Sequence, residues 1–482
     1  MAANLFAKRF DQKTVQTTLI ESPDIGIIGV GEGSTPTLKR FFESIDVPES
    51  RWMNACNATY KVSIQFEGWS PASGNDSYRH PFISQIDTFT QKAFEVNCRT
   101  RRMGLDTHTN PEDFLINGML AKSHKGPVTP ENFPFRMEYG YHFDSGLLGQ
   151  FLRDVAVENG VEHLSQRIVD VSQHPDGQIK SLHSDNGDVF EGDFFVDCTG
   201  FNSLLLQKTL GIKFHSYKDN LFNDSAVVMP TAVDDAIPPE TKSTALSSGW
   251  CWKIPLQNRY GNGYVYSSDY IDSDRAEQEF RAHLGMLDSD TECRHLKMKV
   301  GQVEQHWAKN CLAIGLSQGF IEPLEATALH LVQICLEMFI EKYQKGNFTA
   351  QHRDAFNGFA KERFDRVRDY IVAHYKLNTR DDSDYWRDNR ENRHISASLS
   401  HVLDKWFRRE DVTAEINRQN IAMHWDPISW HCLLSGYGAY PPLAPNQPGK
   451  GDLYQEQDIS RFLQGCALNF QSHEQNLRAL SE

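Results

Sequence analysis

The sequence predicts an α/β fold, with a Rossmann-like nucleotide-binding lobe, an inserted antiparallel sheet and a mainly helical C-terminal lobe. Near the start, an amphipathic helix, a strand and an acidic residue follow one another, as in the second half of a nucleotide-binding βαβ unit. Apolar runs in the middle of the chain predict paired strands, and the last third is helical and rich in charge. We therefore place the α/β lobe at residues 1–350 and the helical lobe at residues 351–482.

The composition favours an enzyme without metal sites, disulfides or nucleic-acid partners. The formal net charge of −15 opposes binding to phosphate backbones. The nine cysteines are scattered and contain no C-x-x-C pair, which favours a reducing cytoplasm. No apolar run is as long as a membrane span, and the start shows no signal-peptide pattern, so we expect no membrane association.

The first elements predict half of a nucleotide site. Residues 1–10 predict a helix, and Thr14–Ile20 predicts a strand that ends at Glu21. A carboxylate at this position accepts hydrogen bonds from a ribose, although Glu21 could also simply end a surface strand. The strand and G-x-G-x-x-G turn that should come first are missing, and we interpret the start of the sequence as truncated.

The next elements alternate between turns, helices and strands. Ile27–Pro36 is a glycine-rich turn that would let the backbone approach a flat cofactor, but a structural turn explains its glycines nearly as well. A helix follows over Thr35–Ile45, with Ser34 or Thr35 as its cap. The later predictions are a helix at Gly146–Glu158, strands at Phe194–Cys198, Trp250–Leu256, Tyr264–Ser268 and Leu312–Gly315, and a long helix from about Pro323.

Lys61 and Glu325 are the candidate catalytic residues. Lys61 lies just before or at the start of a strand, where a lysine is usually a solvated charge. Inside an apolar tunnel it would instead hydrogen-bond a neutral oxidant, or lose its proton and react as an amine. Glu325, like Glu322, lies near the predicted start of the long helix, where a carboxylate often only complements the helix dipole. If it faces a cavity, it can accept a proton from a cationic ring intermediate.

Trp250 and Trp252 lie on one face of a predicted strand. Two aromatic residues at this spacing are usually core packing, but they can also close off a channel. Their segment, G-W-C-W-K-I-P, resembles the W-x-W-x-I-P signature of flavin-dependent tryptophan halogenases. Six further segments resemble blocks of that family in the same order: V-G-E-G-S-T-P-T-L, N-A-T-Y-K, Y-H-F-D-S-G-L-L, D-C-T-G-F, G-Y-V-Y-S-S and G-F-I-E-P-L-E-A-T.

The resemblance extends from residue 1 to about residue 445 and implies an FAD-binding lobe of the flavin monooxygenase type. In this family, reduced FAD and O₂ oxidise chloride or bromide to hypohalous acid, which passes through a tunnel to an indole-like substrate. Lys61 and Glu325 match the two essential residues, and Trp250 and Trp252 match the pair that keeps the substrate away from the flavin. The residues expected to contact FAD are Glu21, Gly31, Glu32, Ser34, Thr35, Gly200 and Gly315.

The resemblance also implies halide and substrate sites. The backbone N–H groups of Thr327 and Ala328 would hold the halide, and His80, Phe82 and Trp425 match residues that sandwich the indole. The family's clamp for the amino-acid end of tryptophan is not evident before Trp425. Burying a charged group without partners is costly, so we hypothesise that indole or another indolic compound is a better substrate than free tryptophan.

Two other functions are compatible with parts of the sequence. A flavin-dependent monooxygenase would use the same lobe to hydroxylate a substrate beside the flavin, which Trp250 and Trp252 argue against. A degenerate, non-catalytic flavoprotein would explain the missing phosphate loop, because the pyrophosphate would lose several charge-assisted hydrogen bonds. No nicotinamide site is evident, so we expect a separate flavin reductase to supply reduced FAD; a homodimer is left open.

Overall fold

The structure is a computed structural model that describes residues 1–26, 29, 31–445 and 451–480. Ile27, Ile28 and Val30 of the predicted glycine-rich turn lie outside the described residues. The strands of the described part are β1 Thr18–Glu21, β2 Glu32–Gly33, β3 Thr59–Lys61, β4 Ser63–Glu67, β5 Ser77–Pro81, β6 Gly140–Phe143, β7 Glu162–Ser165, β8 Ile168–Gln173, β9 Ile179–Ser184, β10 Val189–Glu191, β11 Phe195–Asp197, β12 Phe214–Ser216, β13 Ser225–Thr231, β14 Glu240–Leu246, β15 Gly249–Pro255, β16 Tyr260–Tyr266, β17 Arg294–Lys297, β18 Gly301–Val303, β19 Trp307–Ala308, β20 Cys311–Ala313 and β21 Gly319–Phe320.

The helices divide between the two predicted lobes. Those before residue 350 are α1 Ala2–Arg9, α2 Thr37–Ser44, α3 Glu49–Trp52, α4 Gln91–Arg102, α5 Ile116–Lys122, α6 Ser145–Glu158, α7 Ser273–Leu284 and α8 Ala328–Lys345. Those after it are α9 Arg353–Leu377, α10 Asp384–Glu391, α11 Ala397–Phe407, α12 Val412–Arg418, α13 Pro427–Gly436, α14 Leu453–Glu456, α15 Ile459–Ala467 and α16 His473–Ala479. The helical character predicted for the last third of the chain is confirmed.

A seven-stranded sheet forms the centre of the molecule, in the order β17-β13-β16-β15-β14-β4-β5. Only the β14–β4 pair is parallel within this sheet, and the other neighbours are antiparallel. Strands β15 and β16 are the predicted pair of the Trp250 region, and both are buried along nearly their whole length. This confirms the inserted antiparallel sheet and places Trp250 and Trp252 in the interior.

Parallel strand pairs form the nucleotide-binding part of the α/β lobe. Strand β1 pairs in parallel with β7, and β11 pairs in parallel with β20. Helix α1 begins beside this region, because the Met1 amino group lies near Cys198, which follows β11. Burial lowers the pKa of this amino group. The carboxyl ends of parallel strands are where such folds bind dinucleotides, so the predicted Rossmann-like character is confirmed.

The structure corrects some predicted boundaries around the site. The long helix does not begin at Pro323, because Pro323–Glu325 forms a separate 3-10 turn and Ala326 then adopts a left-handed conformation with φ +54°. Helix α8 begins only at Ala328. Helix α2 follows Pro36, and neither Ser34 nor Thr35 caps it with a side-chain hydrogen bond. The Thr35 hydroxyl instead contacts that of Thr37 at 2.7 Å. Among the described residues, no helix is both long and apolar enough to cross a membrane.

Candidate functional site

Lys61 is a buried cation without a hydrogen-bond partner. It ends β3, where its backbone pairs with Gly140 of β6, and its side chain has no exposed surface. Its Nζ lies 5.6 Å from the centre of the Phe82 ring, and no hydrogen-bond acceptor reaches it within the described part of the chain. Burial lowers the pKa of Lys61 to about 8, although the Glu325 carboxylate nearby raises it. The structure therefore brings the two predicted catalytic groups together.

Glu325 is held by two histidines. Its Oε1 lies 2.9 Å from Nε2 of His374 and 3.4 Å from Nδ1 of His80. On the other side of the His374 ring, Nδ1 lies 3.0 Å from the Tyr437 hydroxyl. Burial alone would raise the pKa of Glu325, but the two imidazoles outweigh it and hold that pKa at about 2. Glu325 is therefore an ionised carboxylate at neutral pH.

The segment 31–35 runs alongside the Lys61 ammonium. A Cβ built on Gly33 would lie 3.2 Å from Nζ of Lys61 and 3.6 Å from Cβ of Ala326, so any larger residue here would press on the ammonium. Strand β2 pairs with β6 here, and burial raises the pKa of Glu32 to about 7. Further along, Thr35 lines the cleft described below. Residues 31–35, which precede α2, therefore run from the side of Lys61 to the cleft.

The two tryptophans of β15 form an aromatic wall. The rings of Trp250 and Trp252 lie 6.0 Å apart, and both side chains are buried. Nε1 of Trp250 donates a hydrogen bond of 2.9 Å to Glu322, which also accepts hydrogen bonds from Asn223 and Tyr375. Glu322 belongs to the same short segment as Glu325, so the aromatic wall and the Glu325 carboxylate are held close to one another.

A cleft of about 820 Å³ opens beside these groups. Glu325 lies in its wall together with the predicted substrate residues His80, Phe82 and Trp425. The Trp425 ring stacks on Tyr370 at 4.0 Å with an interplanar angle of 5°. This stack holds the Trp425 side chain rigidly, and a flat aromatic ligand can stack against such a ring. The structure thus brings all three predicted substrate residues to one cavity, with His80 also contacting Glu325.

The cleft is more polar than the sequence led us to expect. We predicted a site without polar partners for a charged group, but charged and polar side chains line it, among them Arg40, Glu138, Glu337, His424 and Asp426. Arg40 lies in α2, Glu138 just before β6, Glu337 in α8, and His424 and Asp426 in the loop before α13, so no local stretch of sequence brings these residues together.

Two glycines form the edge that could hold a flat cofactor. Gly200 and Gly315 follow the parallel neighbours β11 and β20, and both have φ +67°. A Cβ at either position would meet no atom within 4 Å, so the backbone there faces open space. This arrangement fits a nucleotide cofactor. The predicted ribose ligand Glu21 ends β1, is half-exposed and accepts a hydrogen bond of 2.8 Å from His163 of β7.

The predicted halide ligands lie at the start of α8. Thr327 immediately precedes the helix, is buried and lines the cleft, whereas Ala328 is the first helical residue and is exposed. The first N–H groups of an α-helix have no acceptor within the helix and attract anions. The backbone at Thr327 and Ala328 therefore has the donors that a halide site needs.

The sequence analysis missed His374 and Tyr437. His374 interrupts the apolar run Tyr370–Tyr375 of α9 and has no exposed surface. A histidine in such a run is a detectable signal, because a buried imidazole needs a polar partner. The partner could not be identified from sequence, since Glu325 lies on a different element.

Comparisons with known proteins agree with this site. The tryptophan halogenase family model matches residues 1–447. A tryptophan 6-halogenase of Streptomyces toxytricini is 35% identical, over 96% of this chain and 93% of its own. A tryptophan 7-halogenase of Lentzea aerocolonigenes is 32% identical, over 92% of this chain and 88% of its own.

Solved structures show the same similarity. The crystal structure of the Streptomyces toxytricini tryptophan 6-halogenase superposes with a TM-score of 0.84, at 31% identity, covering 99% of this chain and 97% of the other. A flavin-dependent halogenase from Brevundimonas sp. BAL3 superposes with a TM-score of 0.83, at 30% identity, covering 99% and 96% of the two chains. The chain belongs to the tryptophan halogenase family of flavin-dependent enzymes.

Proposed function

We propose that the protein halogenates an indole-like aromatic compound, with Lys61 and Glu325 as its catalytic residues. The observation that carries this proposal is a fully buried ammonium without a hydrogen-bond partner, close to a buried, ionised carboxylate that faces a cleft. An unpartnered buried cation is costly in folding free energy, and such costs cluster at functional sites. The helical segment 351–482 would complete the substrate pocket through residues such as Trp425.

When reduced FAD is bound, it supplies, together with O₂, the oxidising power that converts chloride or bromide to hypohalous acid. Gly31, Glu32, Gly200 and Gly315 would hold the cofactor, with Glu21 at its ribose, and Thr327 and Ala328 would hold the halide. A separate flavin reductase would supply the reduced cofactor. The nine cysteines all lie in described residues and are free, which supports a reducing, cytoplasmic location.

In the halogenation step, Lys61 would donate a hydrogen bond to the oxygen of hypohalous acid and so weaken its oxygen–halogen bond. The ring carbon then takes the halogen, and the oxygen leaves as water with a proton from Lys61. The alternative is that neutral Lys61 first takes the halogen on its nitrogen, while one of its N–H protons leaves with the hydroxide as water; the ring carbon then takes the halogen from this nitrogen. In both cases Glu325 would accept the proton that leaves the ring carbon.

Trp250 and Trp252 would separate this step from the flavin. A hydroxylase needs its substrate beside the flavin, whereas a rigid wall of two buried indoles would force the oxidant to travel to the substrate. This arrangement favours halogenation over the flavin monooxygenase alternative.

The decisive experiment is Lys61→Ala, tested with FAD, a flavin reductase, bromide or chloride, and a panel of indoles read by mass spectrometry. We expect halogenation to fall by about 100-fold or more while flavin oxidation continues. Lys405→Ala, on the exposed side of α11, serves as the matched control. Halogenation that persists in the Lys61 variant would remove this residue from the mechanism.

A further inference from the structure

Glu325 lies at ion-pair distance from a histidine whose other ring nitrogen contacts a tyrosine. His374 has no exposed surface, and its Nε2 lies 2.9 Å from the Glu325 carboxylate. The hydroxyl of Tyr437, also buried, lies 3.0 Å from Nδ1 of the same ring. Glu325 is ionised and can only accept, so Nε2 must carry the proton and Nδ1 must accept from the tyrosine. The three groups therefore form a directed chain from Tyr437 through His374 to Glu325.

The chain is held rigidly by packing. The His374 ring lies 4.8 Å from the Phe66 ring and 5.6 Å from the Tyr437 ring, both measured between centroids. The next residue of α9, Tyr375, donates to Glu322, so two successive side chains of α9 hold the two carboxylates of the Glu322–Glu325 segment. This arrangement fixes both the position of Glu325 and the tautomer of its partner.

We propose that His374 is the positioning residue of Glu325, and that Tyr437 holds the His374 ring so that Nε2 stays beside the carboxylate. The inference rests on the proposed catalytic function of Glu325. Glu325 lines the cleft and His374 does not, so His374 would act only through Glu325.

The charge balance around Glu325 shows why this bond matters. The titratable groups that face the carboxylate are Lys61, Tyr78, His80, Tyr370, His374 and Tyr437. Burial also lowers the pKa of His374, so this ring acts as a neutral donor at physiological pH. His80 and His374 both lower the pKa of Glu325 against the effect of burial, so removing His374 should let that pKa rise.

The test compares full-length wild type with His374→Gln, His374→Phe and Tyr437→Phe. Glutamine keeps an N–H at about the position of Nε2, whereas phenylalanine keeps the ring volume without a donor. Bromination of indole with FAD and a flavin reductase is measured against pH. In parallel, the Glu325 carboxyl is titrated by carbon-13 NMR in protein labelled at its glutamate carboxyls, with Glu325→Gln used to assign the signal.

We expect His374→Phe to lower kcat by about 100-fold with little change in KM, because the carboxylate loses its alignment. The Glu325 carboxyl of this variant should titrate at a higher pH than that of wild type. His374→Gln should restore most of the rate, and Tyr437→Phe should shift the titration less. If His374→Phe does not fold, the other two variants still decide the question.

An unchanged Glu325 titration in His374→Phe, or glutamine and phenylalanine variants that are equally impaired, would overturn the inference. If wild type brominates no indole, the proposed function fails. The NMR titration, which needs neither flavin nor substrate, would still determine whether His374 controls the ionisation of Glu325.

Discussion

Nε1 of Trp250 donates a hydrogen bond of 2.9 Å to Oε2 of Glu322, a carboxylate with no exposed surface. The same oxygen accepts from Asn223 at 2.9 Å and from the Tyr375 hydroxyl. Burial raises the pKa of Glu322, and these three donors oppose that effect. The aromatic wall is therefore anchored by a buried acid whose donors come from β15, α9 and the loop before β13.

The first prediction concerns this anchor. Glu322→Leu leaves three buried donors without an acceptor, at about 1–3 kcal/mol each, so we expect a lower Tm and a displaced Trp250. If the wall keeps substrate from the flavin, the fraction of oxygenated product should rise, which mass spectrometry of the indole products measures. Glu322→Gln keeps an acceptor of the same shape and is the control. If the leucine variant keeps the wild-type ratio of oxygenated to halogenated product, Glu322 is not needed for the wall to keep substrate from the flavin.

Local patterns were sufficient to predict the elements that carry the site. The alternation in Trp250–Leu256 and the apolar periodicity of Gly146–Glu158 depend on neighbours in sequence, and both elements are confirmed. The start of the long helix was predicted too early, because the left-handed backbone at Ala326 breaks the helix at a residue with good helix propensity. Nothing in the local sequence signals that break.

The second prediction follows from the pKa of Lys61, lowered by burial to about 8. Lysine is protonated below its pKa, so a hydrogen-bond-donating ammonium requires kcat for halogenation to be constant near neutral pH and to fall above about pH 8. A reactive neutral amine requires the opposite, a rate that rises toward about pH 8 and then levels off. We expect the first profile, measured with flavin oxidation in parallel as the control. A rising limb would assign the amine mechanism instead.

The third prediction is that Lys61→Met stabilises the fold. A pKa lowered from 10.5 to about 8 corresponds to roughly 3 kcal/mol of destabilisation while the amine is protonated. The unfolded chain holds this proton more tightly, so wild type should gain stability as the pH rises from about 8 to 10.5. The methionine variant should lack this gain and unfold at a higher temperature near neutral pH. Lys405→Met is the exposed control, and equal Tm changes in the two variants would contradict the prediction.

The fourth prediction concerns the space beside Lys61. Gly33→Ala would place a methyl group 3.2 Å from Nζ and 3.6 Å from Oγ1 of Thr241, so the ammonium has to move. We expect halogenation to fall severalfold with little loss of thermal stability, because the end of the lysine chain can shift. Gly358→Ala in α9 meets no atom within 4 Å and should leave the rate unchanged. A Gly33 variant with full activity would show that the position of the ammonium is not critical.

The contacts between distant segments account for what the sequence could not predict. The residues that surround Glu325 come from β5, α9 and the end of α13, and no local pattern links them. The resemblance to a family was sufficient to single out Lys61 and Glu325 as candidates, because those residues lie within recognisable motifs. The polar wall of the cleft was missed for the same reason as His374, since each of its residues reads alone as an ordinary surface side chain.

The last prediction concerns the substrate. The carboxylates that line the cleft, Glu138, Glu325, Glu337, Glu341 and Asp426, outnumber the guanidinium groups of Arg9 and Arg40. The carboxylate of free tryptophan would enter this negative field unfavourably, whereas indole carries no charge and tryptamine carries only a positive one. In a competition with equal concentrations, we therefore expect indole and tryptamine to be halogenated in preference to tryptophan.

Raising the ionic strength should narrow the difference in rate between these substrates and tryptophan, because salt screens the field of the cleft. Glu337→Gln, on the exposed face of α8, should shift the ratio toward tryptophan. A clear preference of wild type for tryptophan, insensitive to salt and to this substitution, would mean that specific contacts to the amino-acid group outweigh the charge of the cleft.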